Sequence, residues 1–156
     1  MQITVRRYHR RDHAEVLRIA VESFRGVCMD ENIENQFGPI VQGWQEHKRE
    51  IIDYDLTSNP GSAFVAEVDG RVAGFVCTRL YHQRSTGHVA NLAVASEYQG
   101  QGVGKALMQA ALEHFRGNDM RYARIETLEQ NVKAQKFYPG LGFKEVGRQI
   151  FYFMEL

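Results

Sequence analysis

Glycines at alternate positions are the first sign of chemistry in this sequence. Gly100, Gly102 and Gly104 stand between the apolar run at 89–94 and a segment with helical apolar spacing, where that helix would begin. The first N–H groups of a helix have no partner inside it and lie at the positive end of its dipole, so they bind anions. Glycine also lets a ligand approach the backbone closely. The pattern therefore predicts a phosphate-binding turn between a strand and a helix.

Two common phosphate motifs do not fit this turn. A Walker loop has a glycine five residues before its Gly-Lys-Ser/Thr ending, whereas here that position is Gln99 and Lys105 is followed by alanine. A dinucleotide fingerprint, G-x-G-x-x-G, would need its third glycine at Lys105 if it began at Gly100, and it also fails from Gly102. The pattern that remains is Gln99-x-x-Gly102-x-Gly104.

That pattern resembles the acyl-coenzyme A pyrophosphate loop of the GNAT N-acyltransferase superfamily, Q/R-x-x-G-x-G/A. The preceding residues 91–94, Asn-Leu-Ala-Val, are similar to the central strand of that family. A second motif, N-x-x-A-x-x-F-Y-x-x-x-G-F beginning at Asn131, is similar to the family's N-x-x-A-x-x-x-Y-x-x-x-G-F end piece. Two motifs in the correct order make the resemblance specific. It covers essentially the whole chain and is strongest between residues 91 and 143.

The resemblance implies a fold and an activity. The fold would be α/β (α+β), a single N-acetyltransferase domain over 1–156 with a mixed central β-sheet flanked by helices in the order β-α-α-β-β-β-α-β-α-β-β. The activity would be transfer of an acetyl group from acetyl-coenzyme A to a primary amine of a small molecule, peptide or protein. Acetyl-coenzyme A would be a co-substrate, and no metal is expected. A competing hypothesis is a non-catalytic coenzyme A-binding sensor or scaffold of the same fold.

The resemblance also assigns cofactor contacts to individual positions. Backbone groups of Leu92, Ala93 and Val94 would pair with the pantetheine arm like an added strand. The pyrophosphate would be held by the glycine turn, which comprises Gln99, Gly100, Gln101, Gly102, Val103, Gly104 and Lys105. Asn131 would bond to pantetheine, and it is also suited to cap the following helix. In this family a bulge on the central strand frees an N–H group that polarises the thioester carbonyl.

The resemblance makes Tyr138 the general acid that protonates the leaving thiolate, although a core tyrosine is the alternative. The base is less determined. Several relatives carry a carboxylate two residues before Leu92, where this chain has Ala90. His88 lies one further step along the same predicted face, and histidine titrates near neutrality. Glu126 and a chain of waters are the other candidates, and an ordinary strand-end histidine is the alternative for His88.

Apolar periodicity predicts the elements that carry these residues. Strands are predicted at 3–5, 63–68, 72–80, 89–94, 122–128, 143–146 and 149–155, with Asp69-Gly70 as a hairpin turn. Helices are predicted after Asp12, from Pro39 to the turn at 59–61, from the glycine turn to Phe115, and from Asn131 to about 138. Residues 25–38 and 81–87 show no clear period and are predicted to be loops.

Composition limits the functional classes. The chain has 156 residues, 44% hydrophobic and 24% charged, which is typical of one soluble globular domain. Nineteen basic and nineteen acidic residues give zero formal net charge, so neither nucleic acid nor a membrane is an expected partner. No apolar run approaches the roughly 20 residues of a membrane span. The N-terminus is charged rather than signal-like, so a cytoplasmic location is expected.

Substrate choice and assembly are less determined. Cys28 and Cys77 match no metal or redox spacing. Acidic residues in 25–38 would favour a cationic amine acceptor, although a solvated charged loop explains them as well. Relatives in the family often dimerise through sheet edges or helices, so a homodimer is one expectation, and the sequence does not determine the oligomeric state.

Overall fold

The computed structural model describes all residues, Met1–Leu156, and is built on one five-stranded sheet. In order across the sheet the strands are β1 (Ile3–Arg7), β2 (Ala63–Val68), β3 (Arg71–Tyr81), β4 (Thr86–Val94) and β5 (Tyr122–Arg124). The first four strands pair antiparallel, and β5 lies parallel to β4. A parallel pair needs a crossover, and a helix supplies it here. The mixed sheet confirms the predicted fold class.

Five helices accompany the sheet: α1 (His13–Phe24), α2 (Met29–Phe37), α3 (Trp44–Ser58), α4 (Val103–Gly117) and α5 (Val132–Gly140). Helices α1 and α3 cover one face, where Ile19 and Ile52 pack with Phe75 of β3. The crossover helix α4 covers the other face, where Leu107 packs with Val76 and Val89. Strands β3 and β4 are therefore buried on both faces. No helix is both long and apolar enough to cross a bilayer.

The prediction of a loop over 25–38 is wrong, because Met29–Phe37 forms α2. Apolar side chains occur only at every fourth position, at Met29, Ile33 and Phe37, and give a narrow stripe that periodicity alone detects poorly. Asp30 and Glu31 occupy the first turn, where carboxylates interact favourably with the helix dipole. The acidic residues of this segment therefore lie on a helix.

The second predicted helix also begins later than expected. Helix α3 starts at Trp44, not at Pro39. Gly43 has a φ of 77° and Val41 a φ of 30°, so the chain turns in the left-handed region immediately before the helix. Val41 is fully exposed, whereas Trp44 is buried.

The two closing strands predicted at 143–146 and 149–155 are absent, since residues 143–156 contain neither helix nor strand. Val146 and Tyr152 are 100% and 90% exposed, and Arg148 bonds to Glu145 and Glu129 outside any ladder. Local alternation indicates an extended segment, but a strand also needs a neighbour with which to pair. The predicted strand at 122–128 is likewise reduced to Tyr122–Arg124, because it pairs with β4 for only three residues.

The loop predicted at 81–87 is shorter than expected. Strand β3 continues to Tyr81 and β4 begins at Thr86, so only a turn around Ser85 joins them. His88 is therefore the third residue of β4.

Candidate functional site

The turn before α4 leaves the first N–H groups of that helix free. Gly100 and Gly102 have φ values of 74° and 90°, in the left-handed region that glycine adopts most easily. Ala106 N–H donates to the Gly102 carbonyl at 3.0 Å, and no side chain caps the helix. The N–H groups of residues 103–105 consequently have no partner within the helix. This end of α4 fits the anion site that the glycine spacing predicts.

The surroundings of the turn leave space for a ligand. A Cβ atom on Gly100 would meet nothing within 4 Å. A Cβ on Gly104 would lie 3.5 Å from Phe137 Cζ and 3.6 Å from Val94 Cγ2, which are ordinary contacts. The outer side of the turn is therefore open, and its inner side rests on β4 and α5.

Two side chains frame the turn. Gln99 donates from Nε2 to the Val94 carbonyl at 3.1 Å, and its Oε1 accepts from Lys133 Nζ at 3.2 Å. Gln101 Nε2 donates to the Glu97 carbonyl at 2.7 Å, so its side chain supports the turn itself. Lys133 is therefore a cation beside the predicted anion site, and sequence reasoning missed this residue. It stands 34 residues from Gln99, and no local spacing marks it.

Strand β4 has an open edge next to this turn. Pairing with β5 runs only from Thr86 to His88, so the two strands separate beyond that point. Ala95 N–H donates to the Ala73 carbonyl at 2.9 Å on the β3 side. Because neighbouring residues of an antiparallel ladder point their amides in opposite directions, Leu92 and Val94 direct theirs to the open edge.

Ala93 differs from its two neighbours. It pairs with Phe75 of β3, and its side chain is buried between β4 and α1 and α3. Of the three strand residues predicted to meet pantetheine, only Leu92 and Val94 therefore present backbone groups to the edge. The Val94 carbonyl already accepts from Ser23 Oγ at 3.1 Å as well as from Gln99.

A bulge interrupts β4 and corrects the predicted orientation of His88. Asn91 pairs with Cys77 and Val89 with Thr78, so Ala90 has no partner on β3. The extra residue shifts the alternation by one. His88 pairs with Arg79, whose guanidinium reaches α3, so His88 shares a face with Asn91 and not with Leu92.

The structure brings two of the predicted bases together. His88 Nε2 lies 2.8 Å from Glu126 Oε1, although 38 residues separate them. The His88 side chain is 9% exposed and the Glu126 side chain 58%. The other ring nitrogen, His88 Nδ1, is buried and has no hydrogen-bond partner. Glu126 is therefore the member of this pair that solvent and a substrate can reach.

Tyr138 lies on α5 in apolar surroundings. Its ring centroid is 5.4 Å from that of Phe137 and 6.1 Å from that of Phe143. Burial raises the pKa of Tyr138 to about 12, and the nearby charge of Glu126 contributes to the rise. The phenol is therefore protonated at neutral pH, as a proton donor must be.

Asn131 caps α5, because its Oδ1 accepts from Ala134 N–H at 3.2 Å. This is the structural role that its position allowed. Contact between Asn131 and pantetheine remains a prediction, and the cap leaves the amide nitrogen of its side chain available.

Sequence reasoning also missed a buried polar network on the α3 side of β4. Lys48, Asp55 and Asn91 are each 8% exposed and are linked through hydrogen bonds to one another and to Arg79. The available signal was Lys48, a charged residue within the apolar stripe of its helix.

Two of the clefts on the surface are described by their lining residues. One, of about 280 Å³, runs between α2 and α3 and is lined by Asp30, Ile33, Glu34, Trp44, His47 and Phe153 among others. The other, of about 370 Å³, lies between β1, β2 and α4, and no predicted site residue lines it. The first cleft borders the N-terminal part of α3, the helix that carries Lys48, and no predicted site residue lines it.

Known proteins share this chain's sequence pattern and fold. The model of the Acetyltransferase (GNAT) family matches residues 28–143. An uncharacterized N-acetyltransferase of Archaeoglobus fulgidus is 28% identical over 86% of this chain and 88% of its own length. N-alpha-acetyltransferase 30 of Schizosaccharomyces pombe is 31% identical over 70% of this chain and 75% of its own. The PaiA N-acetyltransferase of Thermoplasma acidophilum, solved in complex with coenzyme A, has the same fold, with a TM-score of 0.74. The two sequences are 21% identical, and the match covers 92% of this chain and 91% of the PaiA chain.

Proposed function

We propose that acetyl-coenzyme A is the acetyl donor for this protein and that the groups around β4 carry out the transfer. The chain belongs to the acetyltransferase (GNAT) family and transfers an acetyl group to an amine. One observation carries the proposal: the open edge of β4 leads directly to the free N-terminus of α4. An extended pantetheine arm can pair with Leu92 and Val94 while its pyrophosphate meets the N–H groups of residues 103–105. Lys133 would add a positive charge beside the phosphates.

The reaction forms one C–N bond and breaks one C–S bond. A neutral amine attacks the thioester carbonyl, the nitrogen loses a proton, and the sulfur leaves as a thiolate. The Leu92 N–H at the bulge would polarise the carbonyl as negative charge develops on its oxygen. The protein must also accept one proton and donate another.

We assign the two proton transfers to residues at the end of the open edge. Glu126, oriented by its bond to His88, accepts the proton from the amine and becomes neutral, while His88 holds the carboxyl group in place. Tyr138 supplies the proton to the sulfur, since its raised pKa keeps the phenol protonated. His88 would then be the buried partner of the base, and Glu126 the proton acceptor that the substrate meets.

The acceptor would enter through the cleft between α2 and α3. Asp30 and Glu34 line that cleft and give it negative charge, while Trp44 and Phe153 provide apolar contact. A primary amine that carries a second cationic group matches this lining. The surrounding charge would attract such a substrate, and Trp44 and Phe153 would hold its hydrocarbon part.

A panel of amines tests the function. Polyamines, amino acids, aminoglycosides and peptides with free N-termini are incubated with acetyl-coenzyme A, and both free thiol and acetylated product are measured. We expect turnover with at least one cationic amine. Tight coenzyme A binding by calorimetry without an acetylated product from any class would instead support the sensor or scaffold hypothesis. A Gly104→Asp variant serves as the binding-defective control.

A further inference from the structure

Polar side chains form a continuous chain beneath the bulge of β4. Lys48 Nζ donates to Asn91 Oδ1 at 3.0 Å, and Asn91 Nδ2 donates to Asp55 Oδ2 at 3.0 Å. The other carboxylate oxygen of Asp55 accepts from Arg79 Nε at 3.1 Å and from Arg79 Nη2 at 2.6 Å. Both ends of the Asn91 amide are therefore occupied, and its side chain is held in one orientation.

The two groups that hold Asn91 come from one helix. Lys48 and Asp55 are seven residues apart, which is about two turns, so both lie on the same side of α3. The Lys48 ammonium also lies 3.7 Å from the centroid of the Phe24 ring. Burial lowers the pKa of Lys48, and the charge of Asp55 is among the effects that oppose it. Buried charges of this kind seldom add net stability, but they constrain the groups to which they bond.

Asn91 stands where the bulge meets the open edge. Ala90, immediately before it, is the residue without a partner on β3, and the last pairing with β5 is at His88. The Leu92 N–H belongs to the peptide group that joins Leu92 to Asn91, and it points to the open edge. At Ala90 the backbone therefore has no partner on either neighbouring strand. The amide of Asn91 supplies support from the α3 side.

We propose that Asn91, clamped by Lys48 and Asp55, is a positioning residue that sets the direction of the Leu92 N–H and so the polarisation of the thioester carbonyl. The inference rests on the proposed function. Arg79 extends the clamp, because it bonds to Asp55 and is the cross-strand partner of His88. The side chains that hold Asn91 therefore extend to the residue that lies opposite His88 on β3. Removal of one aligned donor from an oxyanion site costs about 10²–10³-fold in kcat, and a misdirected donor should cost somewhat less.

A triple variant tests the clamp without leaving a buried charge unpaired. Lys48→Met, Asp55→Leu and Asn91→Leu together replace the network by apolar side chains of similar volume, a change that folded proteins often tolerate. Arg79 can then turn to water, since its side chain is 43% exposed. We expect kcat to fall about 10- to 100-fold, while the Kd for coenzyme A and the KM for acetyl-coenzyme A change less than about threefold.

A spectroscopic readout separates positioning from general damage. A stable acetyl-coenzyme A analogue with a ¹³C-labelled carbonyl should show a lowered infrared carbonyl frequency when bound to the wild type, and a smaller shift when bound to the triple variant. If the triple variant does not fold, Asn91→Asp replaces one amide nitrogen by oxygen, keeps the Lys48 contact and repels Asp55. Asn91→Asp should also lower kcat and reduce the carbonyl frequency shift, but both effects should be smaller than in the triple variant.

The matched control is a buried carboxylate elsewhere. Asp12 is 4% exposed and accepts from Arg6 at 2.7 and 2.9 Å, remote in sequence from β4. Asp12→Asn should lower the melting temperature but leave kcat and the carbonyl frequency unchanged. A triple variant with wild-type kcat, or with the wild-type carbonyl shift, overturns the inference. If the wild type binds no coenzyme A and acetylates no amine, the proposed function is overturned. That result differs from both outcomes of the triple variant, which require an active wild type.

Discussion

The two sides of β4 offer different chemical groups. At its open edge, the available groups are backbone amides, from Leu92 and Val94 and from the first turn of α4. On the face toward α3 the available groups are side chains, which converge on Asn91 from positions 36 and 43 residues away. A site made of backbone depends on where glycines and turns occur along the chain, whereas a site made of side chains depends on how distant elements pack. The first tolerates side-chain changes that leave the backbone accessible, and the second does not.

The largest effect is expected where a side chain blocks backbone groups. Gly104→Asp places a carboxylate at the N–H groups that would meet the pyrophosphate, so electrostatic repulsion should weaken coenzyme A binding on the order of 100-fold or more. Isothermal titration calorimetry measures it. Gly104→Ala is the matched control: its Cβ makes only ordinary contacts with Phe137 and Val94, so affinity should change by a few-fold. Wild-type affinity in a folded Gly104→Asp protein would mean that the phosphate lies elsewhere.

The next effect is expected at Tyr138. Tyr138→Phe keeps the ring packing against Phe143 and removes only the hydroxyl. General acid catalysis is worth about 10²–10⁴-fold, and a thiolate can leave without help, so kcat should fall near the lower end of that range. Coenzyme A affinity and melting temperature should stay near wild type. Tyr54→Phe, on an exposed side of α3, is the control. If Tyr138→Phe has the wild-type kcat while the chemical step is rate-limiting, Tyr138 is a packing residue and not the acid.

The pH dependence sharpens the assignment of Tyr138. The acid is the protonated phenol, which is present below its pKa, and burial raises that pKa to about 12. Its loss should therefore become visible only as pH rises toward 12, and the profile between about pH 7 and 10 should have the same shape in wild type and Tyr138→Phe. Parallel kcat measurements across that range provide the test. If the wild-type kcat falls near pH 10 and this fall is absent from Tyr138→Phe, the phenol is exposed and the prediction is wrong.

A smaller effect is expected for the base pair. Glu126→Gln keeps the shape of the side chain and the hydrogen bond to His88 but removes the proton acceptor, so kcat should fall about tenfold, with water as the replacement acceptor. His88→Gln should cause a similar loss, and the double variant should lose little more, because the two act as a unit. Steady-state kinetics of the three variants test this. Independent, multiplicative losses would show that the two residues have separate roles.

The smallest effect on binding is expected at Ala93. Its side chain faces the core on the α3 side, so Ala93→Ser buries a hydroxyl and should cost about 1–3 kcal/mol of stability. Coenzyme A affinity should nevertheless stay within about twofold, because the neighbouring backbone groups still reach the open edge. Thermal melting and calorimetry on one sample separate the two effects. A large loss of affinity in the folded variant would show that side chains on this strand contact the cofactor.

Much of the fold followed from local patterns. The hairpin at Asp69-Gly70, the glycine turn and the helix after it were predictable, because their signals lie within a few residues of each other. Helix α2 was missed since its apolar stripe is one residue wide, and the closing strands were wrongly predicted since alternation does not provide a pairing partner. The orientation of His88 was wrong for a related reason: a one-residue bulge reverses the alternation, and nothing local to the sequence marks Ala90 as the extra residue.

The sequence by itself determined the family and the position of the predicted backbone anion site, because both depend on the spacing of glycines and on two ordered motifs. Tertiary structure alone decided which side chains surround the reaction. It joined His88 to Glu126, placed Lys133 beside the glycine turn, and enclosed Asn91 between Lys48 and Asp55. These contacts link residues 34 to 43 positions apart. Their geometry arises from the packing of α3 and α5 against the sheet, which local periodicity does not encode.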